Sequence, residues 1–106
     1  MLPFWAVFTA PPPSLEIDAE ISAIRSKRAI DSTVLDLVTA GYEQIDQGDY
    51  SAAIGSFQSA RSLIAGSDNT DIEGEILYGL GEAYFYSQQY AEAIPVLEAA
   101  IAFYSP

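Results

Sequence analysis

The sequence predicts an all-α chain built of packed helical hairpins, and three observations carry that prediction. No segment alternates apolar and polar residues as a half-buried strand would. The chain repeats itself at a spacing of 40: Leu37, Gly41, Tyr50, Ala53, Ile54 and Ala60 recur as Leu77, Gly81, Tyr90, Ala93, Ile94 and Ala100, and Ala40 and Phe57 return as Leu80 and Leu97. A fixed self-similar period of this size is the mark of a solenoid. Small residues also stand where helices would touch. Ala53 and Ala60, like Ala93 and Ala100, are seven apart and share one helical face. Gly41 and Gly81 lie inside predicted helices, where glycine costs about 1 kcal/mol against alanine and calls for a packing reason.

Taken in order, Met1–Ala10 (MLPFWAVFTA) is apolar and aromatic and runs into Pro11-Pro12-Pro13, so residues 1–13 read as a leader. Its length suits the apolar region of a secretory signal, but no lysine or arginine precedes it and proline follows Ala10 directly. An extended aromatic leader and a truncated reading frame are the alternatives, and location stays open between cytoplasm and export. Ten residues are too few to span a bilayer. A helix over 14–31 follows, with Ser14 as its cap and Leu15, Ile17, Ile21 and Ile24 along one side. Arg25, Lys27 and Arg28 fall near its end, where cations suit the helix dipole. It is expected to cap the first repeat, with a degenerate second helix of a preceding repeat as the alternative.

Asp31 or Ser32 is expected to begin a helix to about Asp46, and Gln47-Gly48-Asp49 to turn the chain, with Asp49 capping a helix to about Ala65. Gly66-Ser67-Asp68-Asn69 has loop chemistry. Thr70-Asp71-Ile72-Glu73 reads as a capping box that starts a helix to about Ser87. Gln88-Gln89 turns again, and a last helix covers about Ala91–Tyr104, with Pro95 close to its first turn.

These offsets resemble those of the tetratricopeptide repeat. One copy presents Leu77, Leu80, Gly81, Tyr84, Tyr90, Ala93, Leu97 and Ala100; the other presents Leu37, Ala40, Gly41, Gly48, Tyr50, Ala53, Phe57 and Ala60. The pattern is broken at Gln44, where an aromatic is usual, and at Gln88, where glycine is usual. The family's common period is about 34, and the extra residues here fall in Gly66–Glu73, as in the longer-spaced bacterial arrays that the chain is similar to. The resemblance implies a short right-handed solenoid with one extra N-terminal helix, repeats at 32–66 and 67–106, and a packing motif of Gly41, Ala53, Ala60, Gly81, Tyr84, Ala93 and Ala100.

It also implies a groove lined by the first helix of each repeat. By position these residues are Leu35, Val38, Tyr42, Ile45 and Asp46, then Glu75, Tyr78, Glu82, Phe85 and Tyr86. Ile45 and Phe85 are expected to serve helix packing, which leaves Tyr42, Asp46, Tyr78, Glu82 and Tyr86 for a partner. The implied partner is a protein or peptide of basic or neutral character. Repeats that hold acidic carboxy-terminal tails use lysine, arginine and asparagine where this chain has valine, tyrosine and glutamate, so that mode is not expected. The alternative role is structural: a stacking segment, or the front of a longer array with its effector domain elsewhere, self-associating through a terminal helix that exposes Leu97, Ile101 and Phe103.

Composition narrows the function classes. The chain has no cysteine and no histidine, so disulfides, thiol chemistry, imidazole catalysis and the usual zinc sites are excluded. Its net charge is −11, and beyond Arg28 only Arg61 is basic against twelve carboxylates. Such a surface repels nucleic-acid phosphates and anionic membrane alike. Asp68, Asn69, Asp71 and Glu73 lack the alternation and central glycine of a calcium loop. Gly79-Leu80-Gly81 lies within a predicted helix and follows no strand, so it is not a dinucleotide loop. Serines have only Lys27 as a candidate basic partner. The expectation is a non-enzymatic chain with no metal and no cofactor.

Overall fold

A computed structural model describes residues 13–67 and 69–104; of the expected leader at 1–13, residues 1–12 lie outside the described residues and Pro13 belongs to the first helix. Four helices follow one another: α1 (Pro13–Asp46), α2 (Tyr50–Ile64), α3 (Thr70–Tyr86) and α4 (Tyr90–Tyr104). They pack as sequential antiparallel pairs, α1 with α2 and α3 with α4, and α2 joins the pairs through α3 with a lighter contact between α1 and α3.

The predicted helix start at Asp31 or Ser32 is corrected by the structure. α1 runs unbroken through 34 residues, about 51 Å at 1.5 Å per residue. No glycine or proline interrupts it between Pro13 and Gly41. Thr33, which stands beside the expected cap, donates its hydroxyl to the Ala29 carbonyl at 2.9 Å, an interior bond to the preceding turn. The expected cap Ser14 is likewise inside the helix, which opens on Pro13, a residue suited to the first helical position.

The other termini are built locally. Asp49 accepts from the Ala52 amide at 3.3 Å and caps α2, as the sequence predicts. At α3 the cap is Asn69 and not Thr70: Asn69 Oδ1 accepts from the Ile72 amide at 3.3 Å, and Thr70 is already helical. Asparagine ranks above threonine as a cap, which accounts for the shift by one residue. α4 opens on Tyr90, one residue earlier than expected, which places Pro95 in its second turn. The bond lost there is the one the Ala91 carbonyl would accept, and Ala91 is exposed, so water can serve that carbonyl.

Both hairpin turns have the same construction, 40 residues apart. Asp49 N donates to Gln44 O and Gly48 N to Ile45 O; Gln89 N donates to Tyr84 O and Gln88 N to Phe85 O. This is the paired bonding of a Schellman turn, whose hinge residue is left-handed. Gly48 takes it at φ 78° and Gln88 at φ 65°.

The core lies between the pairs. Val34, Val38, Ala53, Phe57, Ala60, Ile64, Ile76, Leu80 and Ala83 are buried together. Phe57, fully buried, explains two glycines: a Cβ on Gly41 would lie 2.6 Å from its ring tip, and a Cβ on Gly79 would overlap the same ring from α3. Gly81 does the same within the second pair, where a Cβ would run into the Leu97 side chain. Phe57 and Leu97 are themselves 40 apart, so the glycine contact of the first pair is reproduced in the second. Ala53, Ala60, Ala93 and Ala100 are buried. Ahead of this body, residues 16–30 of α1 are exposed throughout.

Candidate functional site

The predicted partner residues lie on α1 and α3, and the contact between these helices is organised by Glu75. Tyr42 is half-buried against Phe57, ring edge to ring face with centroids 5.2 Å apart. Its hydroxyl donates to Glu75 Oε1 at 2.8 Å and approaches the Glu75 carbonyl at 3.3 Å. Tyr104 donates to the other oxygen of the same carboxylate at 3.4 Å. Burial, followed by the bond to Glu75 and that residue's charge, pushes the Tyr42 hydroxyl well above the ordinary tyrosine range. Tyr42 is thus a strut between the helix pairs.

Glu82 stands two turns further along α3 than Glu75. Partial burial, then the charges of Asp46 and Glu75, raise its carboxyl above the usual carboxylate range. Neither α3 nor the segment 34–46 of α1 carries a lysine or arginine to offset this crowding. Asp46, Glu75 and Glu82 therefore form one electronegative patch.

At the turn end of this face the aromatics gather. Tyr86 stacks on Tyr50 at 5.9 Å with planes 23° apart, and Phe85 meets both Tyr86 and Tyr90 edge to face at 5.7 Å and 5.5 Å. Tyr86 and Phe85 are each 50 % exposed. Phe85 is thus on the surface and not in the packing role expected of it. Val38 is corrected in the opposite sense: it is buried in the core beneath α3 and lines no groove, and Ile45 packs on the same core as expected.

Tyr78 is separated from this cluster. With Leu97, Ala100, Ile101 and Tyr104 it lines an apolar cleft of about 380 Å³ formed by α3 and α4. Of the five predicted residues, the structure gathers Tyr42, Asp46 and Glu82 around one carboxylate patch and places Tyr86 at its aromatic end.

Sequence reasoning passed over two participants. Glu75 was placed in the groove but not singled out, because its link to Tyr42 spans 33 residues. Gly79 was considered only as a nucleotide-loop glycine; the signal that could have found it is the cost of a second glycine so close to Gly81 in one helix.

Gln44 shows how the first pair manages without the aromatic usual at its position. Its Oε1 accepts from Ser56 Oγ at 2.7 Å, where the second pair has Tyr84, whose hydroxyl accepts from Gln58 Nε2 at 3.0 Å.

Helix pairing, the alanine faces and the repeated turn set the second pair beside one family. Residues 74–105 match the family model described as tetratricopeptide repeat. This segment is a tetratricopeptide repeat. No curated protein and no solved structure matches the chain. The repeat spans all but the first turn of α3 and the whole of α4, and its first helix carries Glu75, Tyr78, Glu82 and Tyr86. A tetratricopeptide repeat implies protein partners in general. Among the described residues no group of three histidine, cysteine, aspartate or glutamate side chains could hold a metal ion, and no helix is long and apolar enough to cross a membrane.

Proposed function

We propose that the chain is a protein-interaction module whose α1/α3 face receives a peptide segment carrying lysine or arginine. The observation that carries this reading is the crowding of Asp46, Glu75 and Glu82 with no lysine or arginine on α3 or on the adjoining segment 34–46 of α1. Their mutual repulsion is relieved when a cationic side chain settles among them, and part of that relief becomes binding energy. Tyr86 and Tyr42 flank the patch with broad, rigid aromatic surface, which loses little conformational entropy on binding. Arginine suits such a site doubly, because its guanidinium both pairs with carboxylates and stacks on aromatic faces.

The test is an array of 12-residue peptides of basic, neutral and acidic composition, read by fluorescence anisotropy at low and high salt. Basic members should bind, and more weakly as salt rises. Asp46→Asn with Tyr86→Ala should weaken them at least tenfold without loss of helicity. Equal binding of acidic and basic peptides, or affinity unchanged in the double variant, refutes the reading.

A further inference from the structure

The apolar cleft of α3 and α4 has a counterpart inside the molecule. Shifted back by 40, four of its five lining residues, Tyr78, Leu97, Ala100 and Tyr104, become Val38, Phe57, Ala60 and Ile64, all of them buried where α3 packs on the first pair, while Ile101 falls on the exposed Arg61. The cleft is therefore shaped by the same residue positions that receive an α3-like helix.

The start of α1 is such a helix. Glu16-Ile17-Asp18-Ala19-Glu20-Ile21 reads, class for class, as the opening of α3, Asp71-Ile72-Glu73-Gly74-Glu75-Ile76. In α3 these two isoleucines face the first pair, with Ile76 fully buried and Ile72 packed against the core. In α1 their counterparts Ile17 and Ile21 are 51 % and 38 % exposed.

The next contact is matched in volume. Gly79 of α3 is small because Phe57 fills the space before it. At the open cleft the ring is replaced by the smaller Leu97, and α1 presents Ile24 where α3 has Gly79. A large residue facing glycine inside the molecule thus becomes two middling residues at the cleft, with the packing volume shared between them.

The match ends there: Arg25 and Arg28 stand where α3 has Leu80 and Ala83. Their charge has its own counterpart. Gln58, which holds the Tyr84 hydroxyl of α3, is replaced forty residues on by Glu98, and the position equivalent to Tyr84 is Ala29, beside both arginines.

We propose that the cleft of α3 and α4 is occupied by the first turns of α1 from a second copy of this chain, with Ile17, Ile21 and Ile24 entering as Ile72, Ile76 and Gly79 of α3 do, and with Arg25 and Arg28 meeting Glu98. The contact joins unlike surfaces, so it closes as a reciprocal pair or extends head to tail. The contact borders the α1/α3 face, because Tyr104 of the cleft bonds Glu75 of the carboxylate patch.

The test uses the full chain. Light scattering across a hundredfold concentration range should show mass rising above that of one chain, and Ile21→Glu, a change on an exposed helix face, should return it to one chain with helicity intact. Since the chain has no cysteine, Ile21→Cys and Tyr104→Cys chains can be mixed with a short bis-maleimide. Cross-linking in the mixture, well above that of either chain alone, supports the assignment. A wild-type mass of one chain at every concentration overturns it, and so does Ile21→Cys linking to itself as readily as to Tyr104→Cys, which would mean α1 pairs with α1.

Discussion

Phe57 held between Gly41 and Gly79 makes a sign-reversing prediction. Gly79→Ala would ordinarily stabilise a helix by about 1 kcal/mol through propensity. Here the new methyl would overlap the Cζ and Cε atoms of the Phe57 ring. The ring has no free side to move to, because it is fully buried and Gly41 closes the opposite wall. Overpacking of a tight core costs about 1–3 kcal/mol, so the net effect should be a loss of up to about 2 kcal/mol. For a chain of this size that lowers the melting temperature by several degrees, at about 4–8 °C per kcal/mol. Phe57→Leu removes the ring tip and should itself cost about 1–2 kcal/mol. In that background the methyl of Gly79→Ala has room, and the substitution should turn neutral or stabilising. The assay is urea and thermal unfolding by circular dichroism of the four chains at one fixed concentration, so that self-association does not enter the comparison. The reasoning is refuted if Gly79→Ala stabilises the otherwise wild-type chain, or if it destabilises equally with phenylalanine and leucine at position 57.

Gln88 takes the left-handed hinge position that Gly48 fills in the first turn; Gln88→Gly should therefore raise stability by about 0.5–1 kcal/mol, read as a higher urea midpoint at an unchanged slope. Glu82 titrates with a carboxyl raised in the folded chain, so the folded state binds its proton more tightly than the unfolded one. Its contribution to stability is present below the ordinary glutamate range and is lost as pH rises through the folded value. Glu82→Gln should therefore raise the melting temperature at neutral pH and have little effect in acid; the opposite ordering would place Glu82 beside a cation.

Several features were legible because they are local or periodic. The turns at Gly48 and Gln88, the cap at Asp49 and the buried alanine faces each depend on residues within one or two turns of one another, and the 40-residue period fixed their correspondence. The helix boundary at Asp31 was misread because Asp31-Ser32-Thr33 has capping composition, yet nothing in it breaks a helix, and Thr33 bonds backward to Ala29. Cap preference was read at Thr70 when the stronger capping residue stood beside it at Asn69. Val38 was assigned to the groove by position, but the side chain that decides its burial lies across the core on another helix.

The sequence by itself determined the all-α class, the pairing of helices within each hairpin and the small residues at their contacts, because period and spacing act along the chain; that the extra N-terminal helix and the first repeat helix are one continuous α1 was decided by the structure. The tertiary structure alone decided which glycine answers which large side chain. Gly79 lies 22 residues from Phe57, and nothing near either residue names the other. It also decided that Tyr42 reaches Glu75, that Tyr86 stacks on Tyr50 and that Tyr78 lines a cleft with α4. Side-chain direction on a helix follows from local geometry, but what a side chain meets depends on how a second helix is set against it, and that is fixed only when the core closes.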